Sequence, residues 1–140
     1  MLEITNTFIQ VSPDSTAIKA IIPEARDEKK TIQVIQYELL TAQPYPLTLN
    51  DLIFEIFVTR NKISSADLEL HKSTIWAELF VKPHPCMRAS MLPKKYGWGV
   101  HYDAAGKIAL HALESEKYQR LSAFGDGVQK VELAMRSKRT

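Results

Sequence analysis

Apolar residues alternate with small or polar ones along two stretches in the back half of the chain. Tyr96, Trp98, Val100 and Tyr102 alternate with Gly97, Gly99 and His101, and Ile108, Leu110 and Ala112 repeat the pattern. Period two is the mark of a half-buried strand. Between the stretches lies Asp103-Ala104-Ala105-Gly106, good type I turn chemistry with a glycine free to take positive φ. The pattern predicts an antiparallel hairpin over 96–112. With Asp103 opposite Lys107, Tyr102 pairs with Ile108, Val100 with Leu110 and Trp98 with Ala112, all on one apolar face that meets the core. The other face holds Gly97, Gly99, His101, Ala109 and His111. There His111 lies across from Gly99 and diagonal to His101. Apart from the two imidazoles this face is small, so a helix, a partner or a ligand can approach it closely.

The front half reads differently. Thr7-Phe8-Ile9-Gln10-Val11 is a short strand closed by Ser12-Pro13-Asp14-Ser15. The charged run 24–30 is a solvated connection. Ile32, Ile35 and Leu39 recur at helical spacing, and that helix stops before Pro44. Pro44-Tyr45-Pro46 reads as a rigid extended hinge. Thr48 with Asp51, and Ser64 with Asp67, are capping signals for two further helices. The second carries Leu52, Ile53, Ile56 and Phe57, and the third carries Leu68, Ile75 and Leu79 before Pro83 and Pro85 end it. Ser115 caps a short helix with Tyr118, Leu121 and Phe124, and Val131, Leu133 and Met135 alternate as a last strand. The expected fold is α+β: an antiparallel sheet made of the hairpin 96–112 with the N-terminal and C-terminal strands, packed against about three central helices.

Composition narrows the class. The 140 residues, 45% hydrophobic and 24% charged, suit one domain over 1–140 with a real core and exclude disorder as the default state. No apolar run is long enough to span a bilayer, so no membrane partner is expected. One cysteine allows no internal disulfide, and the start of the chain lacks a signal-peptide layout; together these point to the cytoplasm. The net charge of +2 is uneven: residues 1–80 hold 7 Lys/Arg and 11 Asp/Glu, whereas residues 81–140 hold 11 and 5. A basic half faces an anionic ligand, nucleic-acid phosphate, or the acidic half of the same molecule.

The stretch 86–101 concentrates special chemistry: a thiol, several cations, two aromatics and two glycines. Its candidates for an anion site are Cys86, Arg88, Ser90, Lys94, Lys95 and His101, joined by His111 and Arg136. Arginine offers a forked donor to carboxylate or phosphate. Arg88 and Ser90 share a side if 86–90 is a strand. The plainer reading makes Arg88 a structural partner of an acidic residue of the helices, Cys86 a small buried apolar side chain and Trp98 core. Metal ligation fails on spacing: His71, His84, His101 and His111 are scattered, and the hairpin pair lacks a third ligand that the sequence names. No metal and no cofactor are expected. There is no phosphate-binding glycine loop.

Several blocks in order resemble a family of small, mostly microbial proteins catalogued as a domain of unknown function. They are Asn6-Thr7-Phe8-Ile9, Gln36-Tyr37-Glu38-Leu39-Leu40, Pro44-Tyr45, Arg60-Asn61, Cys86 to His101 and Ala134 to Arg139. The resemblance implies that the chain is the complete domain and supplies no activity. The functional expectation is a small binding module for an anionic small molecule or nucleic-acid phosphate. The alternatives are a thiol-dependent enzyme using Cys86 with a histidine, and a structural protein that forms a homodimer through a sheet edge.

Overall fold

A computed structural model describes residues 3–25 and 30–138. The charged run 24–30 thus lies partly outside the described residues. The elements are β1 (Thr7–Gln10), α1 (Ile32–Thr41), α2 (Leu49–Arg60), α3 (Ser65–Leu79), a 3-10 turn (Met87–Ala89), α4 (Met91–Lys95), β2 (Trp98–Tyr102), β3 (Ile108–Ala112), α5 (Glu116–Ser122) and β4 (Lys130–Leu133). The fold is α+β. The strands form one sheet in the order β3-β2-β1-β4.

The hairpin forms in the register that its alternation predicts: Trp98 opposes Ala112, Val100 opposes Leu110 and Tyr102 opposes Ile108. Gly106 takes φ +79°, and the Asp103 carboxylate accepts from the N–H groups of Ala105 and Lys107. One expectation inside the ribbon is corrected. Tyr96 is the C-cap of α4 rather than a strand residue, because its N–H bonds back to Leu92 and Met91. Gly97, at φ +75°, then turns the chain into β2, and a Cβ there would sit 2.7 Å from the Lys19 carbonyl oxygen.

The sheet is mixed. β1 is antiparallel to β2 but parallel to β4. Strands running the same way need a crossover, and α5 supplies it between β3 and β4. That crossover covers the face of small residues. Phe8, Tyr118, Leu121 and Val128 form a buried cluster there, with Tyr118 edge-on to Phe8 at 5.0 Å. The opposite face carries Ile9, Val100, Tyr102 and Ile108 into the main core, where Leu40 of α1, Leu49 and Leu52 of α2, and Leu92 of α4 meet them. Trp98 is half-buried on this side, 5.4 Å from the Tyr37 ring, and its indole N–H donates to the Ile21 carbonyl.

Both capping signals hold: the Thr48 hydroxyl accepts from Asp51 N–H, and the Ser64 hydroxyl from Asp67 N–H. Yet α3 is poorly anchored. Of its 15 residues only Leu79 is buried, while Leu70 stands in solvent. Trp76 stacks on Phe54 of α2 at 5.1 Å. With so little apolar surface buried, α3 opens more easily than the sheet. Native-state hydrogen exchange is expected to find α3 amides at least roughly 100-fold less protected than those of β1 and β2; equal protection would refute the assignment.

Candidate functional site

α1 and α2 pack on the Val100 side of the sheet, and residues 83–91 run past them. Pro83 and Pro85 cannot donate backbone hydrogen bonds, so this connection stays out of a helix. Cys86 then caps the 3-10 turn. A cavity of about 240 Å³ lies among Gln33, Gln36, Leu52, Cys86 and Ser90. A second, of about 440 Å³, is lined by Gln36, Phe57, Arg60, Asn61, Leu79 and His84. The two share Ile32, Gln36, Ile53, Ile56 and Pro85, so they form one trough along α2.

Gln36 stands where the cavities meet, and only 8% of its surface is exposed. Its carbonyl Oε1 accepts from the Ser90 hydroxyl at 2.6 Å. Its amide Nε2 has two protons to place. Among the described residues it reaches only the thioether of Met87, a weak acceptor, at 3.7 Å. The Ser90 hydroxyl spends its one proton on Gln36, and its oxygen also accepts from Leu92 N–H at 3.1 Å. Arg60, the last residue of α2, is exposed at the wall of the trough and forms no ion pair with any described residue. Asn61 donates to the Phe57 carbonyl, and His84 Nε2–H donates to the Leu79 carbonyl at 2.7 Å.

The sequence candidates divide among four places. Cys86 and Ser90 belong to the trough. Cys86 is free and half-buried, on the Val100 side of the sheet. Arg88 lies elsewhere. The segment 86–90 is a turn rather than a strand, and Arg88 Nε donates to the Leu133 carbonyl at 2.8 Å. The Arg88 carbonyl accepts from Met135 N–H, and Glu132 is 3.8 Å away. Arg88 thus has a structural role, but it braces the edge strand β4 rather than an acidic residue of the helices. Arg136 follows on the same edge. Beside it Asp14 accepts from the N–H groups of Ser137 and Lys138. The Asp14 carboxyl is held below its ordinary value, first by the Ser12 hydroxyl and to a smaller extent by Arg136. Lys94 and Lys95 end α4 and make no ion pair with a described residue.

His101 and His111 sit on the opposite face of the sheet from Cys86, so neither reaches the thiol. They meet Tyr45 instead. Its hydroxyl lies 2.7 Å from His101 Nδ1 and 3.2 Å from His111 Nε2. The phenol has one proton, so it donates to one ring nitrogen and accepts an N–H from the other. Tyr45 reaches them from the loop between α1 and α2. That loop is not the extended hinge its two prolines suggest: Tyr45 has φ +46°, the left-handed region that favours glycine. Burial pushes the His101 pKa down, with Lys117 adding to the effect. Burial, then the His101 and Lys117 charges, pushes His111 down to about 4. Both rings are therefore neutral at pH 7. Among the described residues no three His, Cys, Asp or Glu side chains gather as a metal site.

Sequence reasoning did not place Gln36, Arg60, Asn61 or Tyr45 in a site, and weighed His84 only as a metal ligand. Gln36 carried a signal: it is four residues from both Ile32 and Leu40, a polar side chain on the apolar face of α1. Arg60 carried none, because its value depends on what α3 and residues 84–85 bring beside it.

What fold and site together define is a small α+β protein with a ligand-sized trough between its helices and the approach to its sheet. The chain belongs to a family described as "Family of unknown function (DUF6157)", whose model matches residues 2–140. No curated protein and no solved structure matches it. Among the described residues no helix is long and apolar enough to cross a membrane.

Proposed function

We propose that this protein binds a small anionic molecule in the trough between α1, α2 and residues 84–91. The anionic group pairs with Arg60, and an acceptor atom of the same molecule takes the spare proton of Gln36. Gln36 carries the reading. A buried amide donor with only a thioether for a partner costs free energy that a ligand acceptor recovers. The free guanidinium of Arg60 supplies charge and a forked geometry for carboxylate or phosphate. This keeps Cys86 and Ser90 as site residues and releases Arg88, Lys94, Lys95, His101, His111 and Arg136 from the anion site.

A nucleic-acid surface has weaker support. Tyr96 and Trp98 pack inward, so the neighbouring lysines have no stacking platform beside them. A thiol enzyme has weaker support: the imidazole of His84 lies along the same trough and keeps Nδ1 as an acceptor, since Nε2–H donates to the Leu79 carbonyl, but among the described residues it forms no hydrogen bond with Cys86.

Cys86 is the chain's single thiol, and it lines the trough, which makes it a reporter. Butyrate or propyl phosphate, at constant ionic strength, is expected to slow iodoacetamide alkylation of Cys86 saturably, by about fivefold or more. The glutathione thiol is the control and stays unaffected. Arg60→Gln is expected to abolish the protection while leaving the circular dichroism spectrum unchanged. Absence of protection by both anions, or equal protection in Arg60→Gln, would overturn the reading.

A further inference from the structure

We infer that the anion is the head of an aliphatic carboxylate, whose hydrocarbon tail runs from the trough into the crevice between α2 and α3. This rests on the reading above and adds the class of ligand.

The trough does not end at Arg60. A third hollow, of about 460 Å³, adjoins it across Phe57, Leu79 and His84 and continues between Ile63 and Ile75. Its walls are apolar, with Glu78 and Lys82 as its only charged lining residues. Ile63 and Ile75 are only half-buried, and of α3 only Leu79 is buried. The helix stands on α2 through the Trp76–Phe54 stack without filling the space beside it. An unfilled apolar crevice continuous with a polar pocket suits a molecule with a tail and a head.

The head is better matched by a carboxylate than by a phosphate monoester. Among the described residues, the trough offers one guanidinium without an ion pair and one spare amide donor. Arg60 also stands at the C-terminal end of α2, where the helix dipole places partial negative charge. A monoanion satisfied by one bidentate arginine tolerates that position, whereas a dianion is repelled more strongly and lacks further donors. The cavity at the other end of the trough, beside Gln33, Cys86 and Ser90, is only about 240 Å³ against about 460 Å³ for the crevice, so a tail finds more room toward α3.

The test is a chain-length series in the Cys86 alkylation assay: butyrate, hexanoate and octanoate, each below its micelle-forming concentration. The half-protecting concentration is expected to fall roughly threefold to fourfold for each added methylene. Ile75→Asp is expected to weaken octanoate about tenfold and leave butyrate unchanged, with helix content retained. Octanol, which has the tail without the charge, is expected to protect at least about tenfold less well than octanoate. If all three acids protect at the same concentration, the tail is refuted and the small-anion reading stands. If octanol equals octanoate, the carboxylate head is refuted. If none of the acids protects while propyl phosphate does, the carboxylate is refuted and the anion reading stands; if propyl phosphate fails as well, the anion reading fails with it.

Discussion

Replacing Gly99 with alanine is expected to destabilise the protein by about 2–3 kcal/mol, and valine by more. The sign is what makes this informative. In a strand, alanine and valine are intrinsically favoured over glycine, by about 0.5–1 kcal/mol in the case of alanine. Propensity alone therefore predicts stabilisation. Packing predicts the reverse: a Cβ on Gly99 would lie 2.4 Å from Phe8 Cζ and 2.7 Å from Tyr118 Cδ2. Neither ring has room to retreat. Phe8 is fully buried, and the Tyr118 hydroxyl is held by Val11 N–H at 2.8 Å. For a chain of this size each kcal/mol moves Tm by about 4 °C, so Gly99→Ala is expected to melt roughly 10 °C lower. Phe8→Leu removes the nearest atom, and the double variant is expected to be more stable than the two single losses added together. A rise in Tm for Gly99→Ala would show that the α5 cluster does not press on the sheet as described.

The second large effect is on pH dependence. Burial lowers the pKa values of both His101 and His111 in the fold, the latter to about 4 from an ordinary value of 6.5. The folded state thus prefers neutral rings more than the unfolded chain does. The stability associated with neutral rings is complete above about pH 6.5, and it is lost as the pH falls toward 4. For His111, which is partly solvated, the loss is on the order of 2–3 kcal/mol. Protonation also removes the ring's lone pair and breaks the pattern in which the Tyr45 hydroxyl donates to one imidazole and accepts from the other. Asp103 and Asp126 act against the His101 shift, and Lys117 acts with it. Asp14 and Asp126 have lowered pKa values, so the stability they add is present above the ordinary carboxylate value of 3.8 and is lost only as the pH falls below it, outside the histidine window. Urea denaturation at pH 7, 5.5 and 4.5 is expected to give a falling midpoint for the wild type and a flatter profile for His111→Gln, which keeps a polar group beside Tyr45. A wild-type midpoint constant from pH 7 to 4.5 would contradict neutral buried rings.

Different parts of this molecule were legible to different degrees. The hairpin was readable from Trp98 to Ala112, down to the diagonal placement of His101 and His111, because alternation, turn chemistry and register all act within 15 residues; Tyr96 was misplaced in it because α4 ends there. The caps at Thr48, Ser64 and Ser115 were readable for the same reason: each is a bond across three residues. The placement of α5 was less so. Its existence followed from Ser115, Tyr118 and Leu121, but its position over Gly99 depends on the crossover that carries β4 to the far side of β1. Arg88 read as a ligand-binding cation because a local run of charges says nothing about an edge strand 45 residues away.

The amino-acid order by itself determined the α+β class, most of the element boundaries, the apolar face of the ribbon and the isolation of the single thiol from any disulfide. These depend on local periodicity and on backbone bonds between near neighbours. Which side of the sheet each chemical group faces in company was decided only by tertiary packing. It separated Cys86 from the two imidazoles by the thickness of a sheet. It brought Tyr45 onto those imidazoles in a backbone conformation its flanking prolines do not suggest. Among the described residues it left Gln36 with a spare proton and Arg60 without a counter-ion along the same trough. Such pairings join residues dozens of positions apart, and no short-range spacing encodes them.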